Sequence, residues 1–233
     1  VQAFILIMKE AGKVAEAETV ATTGPQTGRD TSTAIIAGAL IIVLVSIVVV
    51  VWAMLRTSMP GDDSVEAGFA RDMGEHHQQA VEMALIISQR TEFEDLRFIA
   101  TDMMLVQQAQ IGQMRGWMDV WGLHPMTGSV KMAWMDHPTS GRMPGMATAE
   151  EIELLKTLPV PEAEDLFLKL MIIHHQAGVE MADAAIERSD NKAMVTLARN
   201  ISETQVAEIE NLQRLRERLG LERVVVEQQI HKH

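Results

Sequence analysis

Met73-Gly-Glu-His-His-Gln-Gln-Ala-Val-Glu-Met83 occurs a second time, 98 residues later, as Met171-Ile-Ile-His-His-Gln-Ala-Gly-Val-Glu-Met181. At the same offset Phe69 meets Phe167, Gln107 meets Gln205, Ile111 meets Ile209 and Gly122 meets Gly220. One constant offset over so long a span marks a duplicated structural unit. Around each copy the apolar residues recur at helical spacing. On a wheel of about 100° per residue, Phe69, Met73, His76, His77, Ala80, Met83, Ala84 and Ile87 share one face. Phe167, Met171, His174, His175, Gly178, Met181 and Ala182 share the matching face of the second copy, while Glu75 and Glu82 point the other way. Each His pair therefore lies in the middle of a face that must be buried.

The pattern outward from the motif is helical throughout. Ser64 or Asp63 caps a helix expected from Val65 to Arg90, and a second runs from about Glu92 to Trp121. Gly122 to Met146 reads as a loop, with Pro125, Pro138 and Pro144. Thr148-Ala-Glu-Glu151 is a capping box that opens a short helix ending before Pro159. Pro161 starts a third long helix reaching Arg188, and Asn191 or Asp190 begins a fourth that stops near Gly220. Two helix pairs with short internal turns predict an all-α fold: an antiparallel four-helix bundle over residues 64–221, its Met/His loop at 122–147. The tail at 222–233 is expected to fray.

Before the bundle, 22 residues from Ala34 to Leu55 carry no charge. At about 1.5 Å per residue they span a hydrocarbon core of roughly 30 Å. No Ala-x-Ala cleavage site follows closely, so the segment reads as an uncleaved transmembrane anchor at 34–55. Residues 1–33 are polar and small-residue-rich after a short apolar start and are expected to be a disordered tail. Val1 implies either a literally translated alternative start codon or a fragment. Residues 56–63 form a polar linker.

Composition limits the chemistry. The net charge is −12 and no basic stripe is visible, which argues against nucleic acid. The absence of Cys excludes disulfides, thiolate metal sites and Cys nucleophiles. There is no Gly-x-Ser-x-Gly elbow either. Methionine is over-used, with 17 residues against 5 Phe and no Tyr. Met is a flexible core filler, so the informative feature is its position three residues before and seven after each first His.

Polar groups at core positions need partners. Gln107 and Gln110 on the second helix, and Gln205 and Glu208 on the fourth, fall on inward faces and can hydrogen-bond the imidazoles. The bland alternative is a satisfied polar layer that sets helix register. The functional one is a metal site of His76, His77, His174 and His175 with Met73, Met83, Met171 and Met181. Imidazole with thioether suits copper, Cu(I) ahead of Cu(II). A di-iron bundle would carry Glu-x-x-His, and here Met73 and Met171 hold that place, leaving Glu208 as the one inward carboxylate. His124, Met126, Met132, Met135, His137, Met143 and Met146 make the loop a second set of candidate ligands. A Pro/Gly-rich loop has little core to fill, so core packing does not account for these methionines.

Phe69-Ala-Arg-Asp-Met-x-x-His-His-Gln-Gln-Ala-Val-Glu-Met-Ala84 and Phe167-Leu-x-x-Met-Ile-x-His-His-x-x-x-Val-Glu-Met-Ala182 resemble the bacterial family known as domain of unknown function 305. Gln107-x-x-Gln-Ile-x-x-Met-x-x-Trp117, Met143-Pro-Gly-Met146 and Thr148-x-Glu-Glu-Ile-x-x-Leu155 add to the resemblance, which covers about Asp62 to Gly220. It implies a ferritin-like bundle exported across the cytoplasmic membrane, hence a single-pass protein with its N-terminus cytoplasmic and its bundle extracytoplasmic. A periplasmic cyanobacterial member binds copper in copper resistance, which implies copper through Met and His. Gln110 departs from the family, where Glu is usual, so the two halves are unequal. The sequence thus predicts a membrane-anchored copper-capturing or buffering protein without enzymatic turnover. The competing readings are a structural or accessory subunit of a membrane complex, or a homo-oligomer, and, more remotely, a di-iron enzyme.

Overall fold

The computed structural model describes residues 30–57, 59–126 and 130–225. Expectations for residues 1–29 and 226–233 lie outside them. The helices are α1 (Asp30–Thr57), α2 (Val65–Arg90), α3 (Glu94–Trp121), α4 (Ala149–Thr157), α5 (Val160–Arg188) and α6 (Lys192–Arg218), with one 3-10 turn at Ala133–Met135. Among the described residues there is no strand, only an isolated bridge between Lys131 and Thr139. The chain forms two compact units, one up to Ser58 and one from Met59 on.

In the first unit, α1 is long and apolar enough to cross a membrane from Thr33 to Met54, and none of that stretch is buried. Ser46 donates its hydroxyl to the Ile42 carbonyl at 2.8 Å, so that side chain is satisfied within the helix. The helix is longer than the anchor predicted from the uncharged run. Residues 30–33, expected in the tail, and 56–57, expected in the linker, continue it, because charge and threonine at its ends do not interrupt helical backbone bonding.

In the second unit the helix ends follow their capping residues. Ser64 accepts from the Ala67 amide at 3.2 Å. Thr148 and Glu151 close a capping box. Asn191 accepts from the amides of Ala193 and Met194. Gly122, at φ +70°, turns the chain out of α3 in the left-handed region open to glycine. The turns between α2 and α3 and between α5 and α6 are so short that each pair runs antiparallel. The side chains capping these ends also tie the pairs together. Thr91, ending α2, donates its hydroxyl to Glu164 near the start of α5. Ser189, ending α5, donates to Glu66 in the first turn of α2 at 2.5 Å.

Two apolar clusters fill the bundle. One joins Phe69 and Met73 of α2 to Met114 and Met118 of α3, Met181 of α5 and Ile201 of α6. The other joins Met83 and Ile87 to Leu96, Met103, Phe167 and Leu212. The start of α2 thus packs with the end of α5, and the reverse, so these two helices are antiparallel as well.

The loop after α3 corrects the sequence reading. Met132, Trp134, Met135 and Met143 are buried in the first cluster, so core packing does account for three of its methionines. Small residues on the helices leave the room: the Trp134 indole lies over Gly68, and meets Phe69 edge-on with centroids 5.7 Å apart. Buried Asp72 accepts from the Met132 amide at 2.7 Å and from Trp134 Nε1 at 2.8 Å. The expected fraying is also displaced. Residues 222–224 are pinned, with Gln213 paired to both backbone groups of Val224 and Arg216 Nε donating to the Glu222 carbonyl at 2.8 Å.

A Cβ on Gly68 would stand 2.4 Å from Trp134 Cδ1. Gly68→Ala is therefore expected to cost about 1–3 kcal/mol through overpacking, read in urea unfolding followed by Trp fluorescence. Unchanged stability and emission would show that the loop does not seat there.

Candidate metal centre

The motif's position on α2 and α5 determines the centre. Because the helices are antiparallel, residue 76 meets its own counterpart at the crossing. The rings of His76 and His174 stack with centroids 3.7 Å apart and planes inclined by 30°. All four histidines are fully buried. They lie between the two apolar clusters, and the thioethers flank them: Met73 and Met181 belong to one cluster, Met83 and Met171 to the other.

Hydrogen bonds fix which ring nitrogen carries the proton. His174 Nε2 lies 3.0 Å from the His76 carbonyl, and His175 Nε2 lies 2.8 Å from a Glu208 carboxylate oxygen. A carbonyl and a carboxylate only accept, so both Nε2 atoms donate and both Nδ1 atoms keep a bare lone pair. His77 Nε2 faces Gln110 Oε1 at 2.8 Å, the same arrangement with an amide oxygen. The Nδ1 atoms of His77, His174 and His175 then have no hydrogen-bond partner, and His76 makes no well-formed bond at either nitrogen, although the Pro144 backbone beside it opposes the fall in its pKa.

Burial holds three of these rings, His76, His77 and His174, neutral. It lowers the pKa of His76 from 6.5 to about 3, with His77 and His175 adding to the shift. It lowers that of His77 to about 4, against the opposing Gln110 hydrogen bond. His174 is pushed well below 6.5 by burial and by the other three imidazoles.

Two of the four predicted hydrogen-bonding residues do not reach the imidazoles. Gln107 and Gln205 are buried, yet both ends of each amide are without a partner. Gln205 occupies the space that Gly178 leaves: a Cβ there would sit 2.2 Å from Gln205 Oε1. That space, read from the sequence as lying beside the imidazoles, is filled by glutamine.

The loop candidates separate. Met132, Met135 and Met143 are core residues, and Met146 is half-buried against the first cluster. His137 is exposed and Met126 is 71% exposed. His124 Nδ1 accepts from the Met126 amide at 3.1 Å, so its lone pair is engaged. Met143 belongs to one apolar cluster and Ala147 to the other, so the turn between them crosses the His layer. Gly145, at φ +74°, makes this possible, since a Cβ would meet Ala177 Cβ at 2.5 Å and His174 Cα at 3.2 Å. Gln79 clamps the turn, donating to the Ala147 carbonyl at 3.0 Å and accepting from its amide at 2.7 Å. Sequence reasoning missed Gln79 and Asp72. The signal for Gln79 was present, as a polar residue adjoining the His pair.

Among the described residues, no three His, Asp or Glu side chains stand as a ready-made metal cage. The side chains gathered here are imidazoles and thioethers, with ring nitrogens that lack hydrogen-bond partners.

The fold and this layer define a four-helix bundle with a buried His/Met donor set. The chain belongs to the family described as Domain of unknown function (DUF305), whose model matches residues 66–216. It is similar to a secreted-protein candidate of the family from Streptomyces coelicolor, at 41% identity over 71% of this chain and 100% of that one, with a TM-score of 0.67. A DUF305 fragment from Deinococcus radiodurans is 34% identical over 68% of this chain and 99% of that one, with a TM-score of 0.59. CopM in its Cu(II)-bound form is 26% identical over 66% of this chain and 97% of that one, with a TM-score of 0.55. Among curated proteins, none matches the chain.

The lowered imidazole pKa values carry a sign. Below pH 6.5 the unfolded chain takes up protons that the folded layer refuses, so stability is complete above 6.5 and falls as pH drops toward about 3. Each such histidine contributes up to about 1.4 kcal/mol per pH unit in that window. Denaturation of the metal-free protein at stepped pH should follow this trend, and an NMR titration should find three imidazoles still neutral at about pH 5. Imidazoles titrating at ordinary values would contradict the buried layer.

Proposed function

We propose that this protein captures and buffers copper outside the cytoplasm, without turnover, as cargo held by His76, His77, His174 and His175 with Met73, Met83, Met171 and Met181. The observation that carries the reading is the set of buried, unpartnered imidazole lone pairs flanked by buried thioethers. A buried polar atom without a partner costs about 1–3 kcal/mol, and a bound cation removes that cost at several atoms together. The thioethers favour Cu(I), and the imidazoles also accept Cu(II). Family membership and the likeness to CopM, a protein with a Cu(II)-bound form, support copper. In this reading α1 is the single-pass anchor, with the N-terminus cytoplasmic and the bundle outside. Met143 and Met146, in the turn across the layer, are the loop ligands suited to passing the ion inward. Met126, 71% exposed in the loop, would make first contact with it.

A second reading is an accessory subunit of a membrane complex or a homo-oligomer. It draws on the outward face of α3, where Phe98, Leu105 and Val120 are exposed at helical spacing. Stable co-purification of a partner, with no retained metal, would favour it.

The test is titration of the full-length chain with Cu(I) against a competing chelator. Tight uptake of at least about one equivalent is expected, lost when all four histidines become Ala while helicity is retained. Unchanged uptake in that variant would sink the assignment. A His-to-Ala variant that loses stability, with no copper bound by the wild type, would make the layer a structural one.

A further inference from the structure

At the second histidine of each pair, the hydrogen-bond partners in the two halves are matched except for one functional group. His77 Nε2 lies 2.8 Å from Gln110 Oε1, and His175 Nε2 lies 2.8 Å from Glu208 Oε2. The partners stand 33 residues after their histidines in both halves. Glutamine and glutamate have the same length and the same branching. At this pair of partners the halves therefore differ in charge and not in shape. Glu208 is well shielded, its side chain only 13% exposed, so water screens its charge weakly.

A carboxylate that accepts from an imidazole makes the opposite nitrogen a stronger donor. It also places a negative charge one ring away from whatever binds His175 Nδ1. Coulomb attraction to that charge is twice as large for a divalent ion as for a monovalent one at the same distance. The Gln110 amide adds no net charge, so the half around His77 offers only neutral nitrogen and sulfur, a donor set suited to Cu(I).

We propose that Glu208 makes the His175 half of the layer the seat for Cu(II), and that Gln110 leaves the His77 half to Cu(I), so that one carboxylate sorts the two charge states. Glu208 acts here as a positioning residue, through His175. The proposal rests on copper capture by the layer, and the experiment separates the two.

The full-length metal-free chain in mild detergent is titrated with Cu(II) and, separately and without oxygen, with Cu(I), each against a competing chelator. The set is wild type, Glu208→Gln, Gln110→Glu and the double exchange, the wild type and the double exchange each also with His77→Ala or His175→Ala. Glu208→Gln should weaken Cu(II) binding about 10–100-fold and leave Cu(I) within about threefold. Gln110→Glu should add Cu(II) capacity at the His77 half. In the wild type Cu(II) should depend on His175, and in the double exchange on His77. A purely structural role for Glu208 would not move that dependence from one histidine to the other. In the metal-free protein, ¹⁵N NMR should find the His175 ring bearing its proton on Nε2. Equal loss of both ions in Glu208→Gln, or Cu(II) dependence that stays on His175 in the double exchange, would overturn the sorting while leaving copper capture standing. Wild type that takes up neither ion would overturn copper capture, and the sorting with it.

Discussion

Four imidazoles packed at the crossing of two helices are the constraint on which the rest of the bundle depends. Each buried nitrogen left without a partner costs about 1–3 kcal/mol, and the layer holds five of them on its histidines. The fold offsets this with apolar burial above and below. Phe69 and Met73 pack on one side with Met181, and Met83 packs on the other with Phe167 and Met171. Full burial of one such side chain contributes about 1.5–3 kcal/mol. The duplicated motif is what makes this geometry economical. An antiparallel pair of like helices meets at matching residues, so His76 stacks on His174, and Thr91–Glu164 at one end is answered by Ser189–Glu66 at the other.

The loop after α3 completes this core rather than decorating it. It lays Trp134 over Gly68 and passes Gly145 against α5 beside His174, two approaches that a Cβ would block. Asp72 and Gln79 hold it at its two ends through backbone groups of Met132 and Ala147. Both anchors come from α2, one on either side of the His pair. The helix that carries the first His pair therefore also positions the segment that closes over it.

Helix bounds, caps and the burial of each His pair were legible in the sequence, because they follow from local bonding and a 3.6-residue period. Val65–Arg90 is set by Ser64 at one end and by extended Thr91 at the other. Contacts between elements were less legible. No period reveals that the loop would find core to fill, since the space Trp134 enters is made by Gly68 on another helix. The glutamines misled for a related reason. Their inward position is a backbone property, but the reach of a long side chain depends on its neighbours. Gly178 lets Gln205 fold against α5, while Gln110 and Glu208 extend to the imidazoles. In the C-terminal segment the polar run gave no sign of anchoring, yet Glu222, Arg223 and Val224 are held by Arg216, Glu210 and Gln213.

The layer is also the place where local rules and global fold disagree. Everywhere else helix propensity, capping and apolar patterning point to one structure. At the layer, nine buried polar atoms on His76, His77, His174, His175, Gln107 and Gln205 lack partners. A core made only for stability would hold leucine or methionine at these positions, since replacing unsatisfied polar groups by apolar ones of similar shape is neutral or stabilising. Sequences break such rules mainly where function requires it. A polar layer kept only for helix register would be satisfied within itself, as the Thr91–Glu164 and Ser189–Glu66 pairs are. Unpaired imidazole lone pairs beside buried thioethers call instead for a hydrogen-bond donor or a cation, and the proposed copper capture is the reading in which a cation supplies that need.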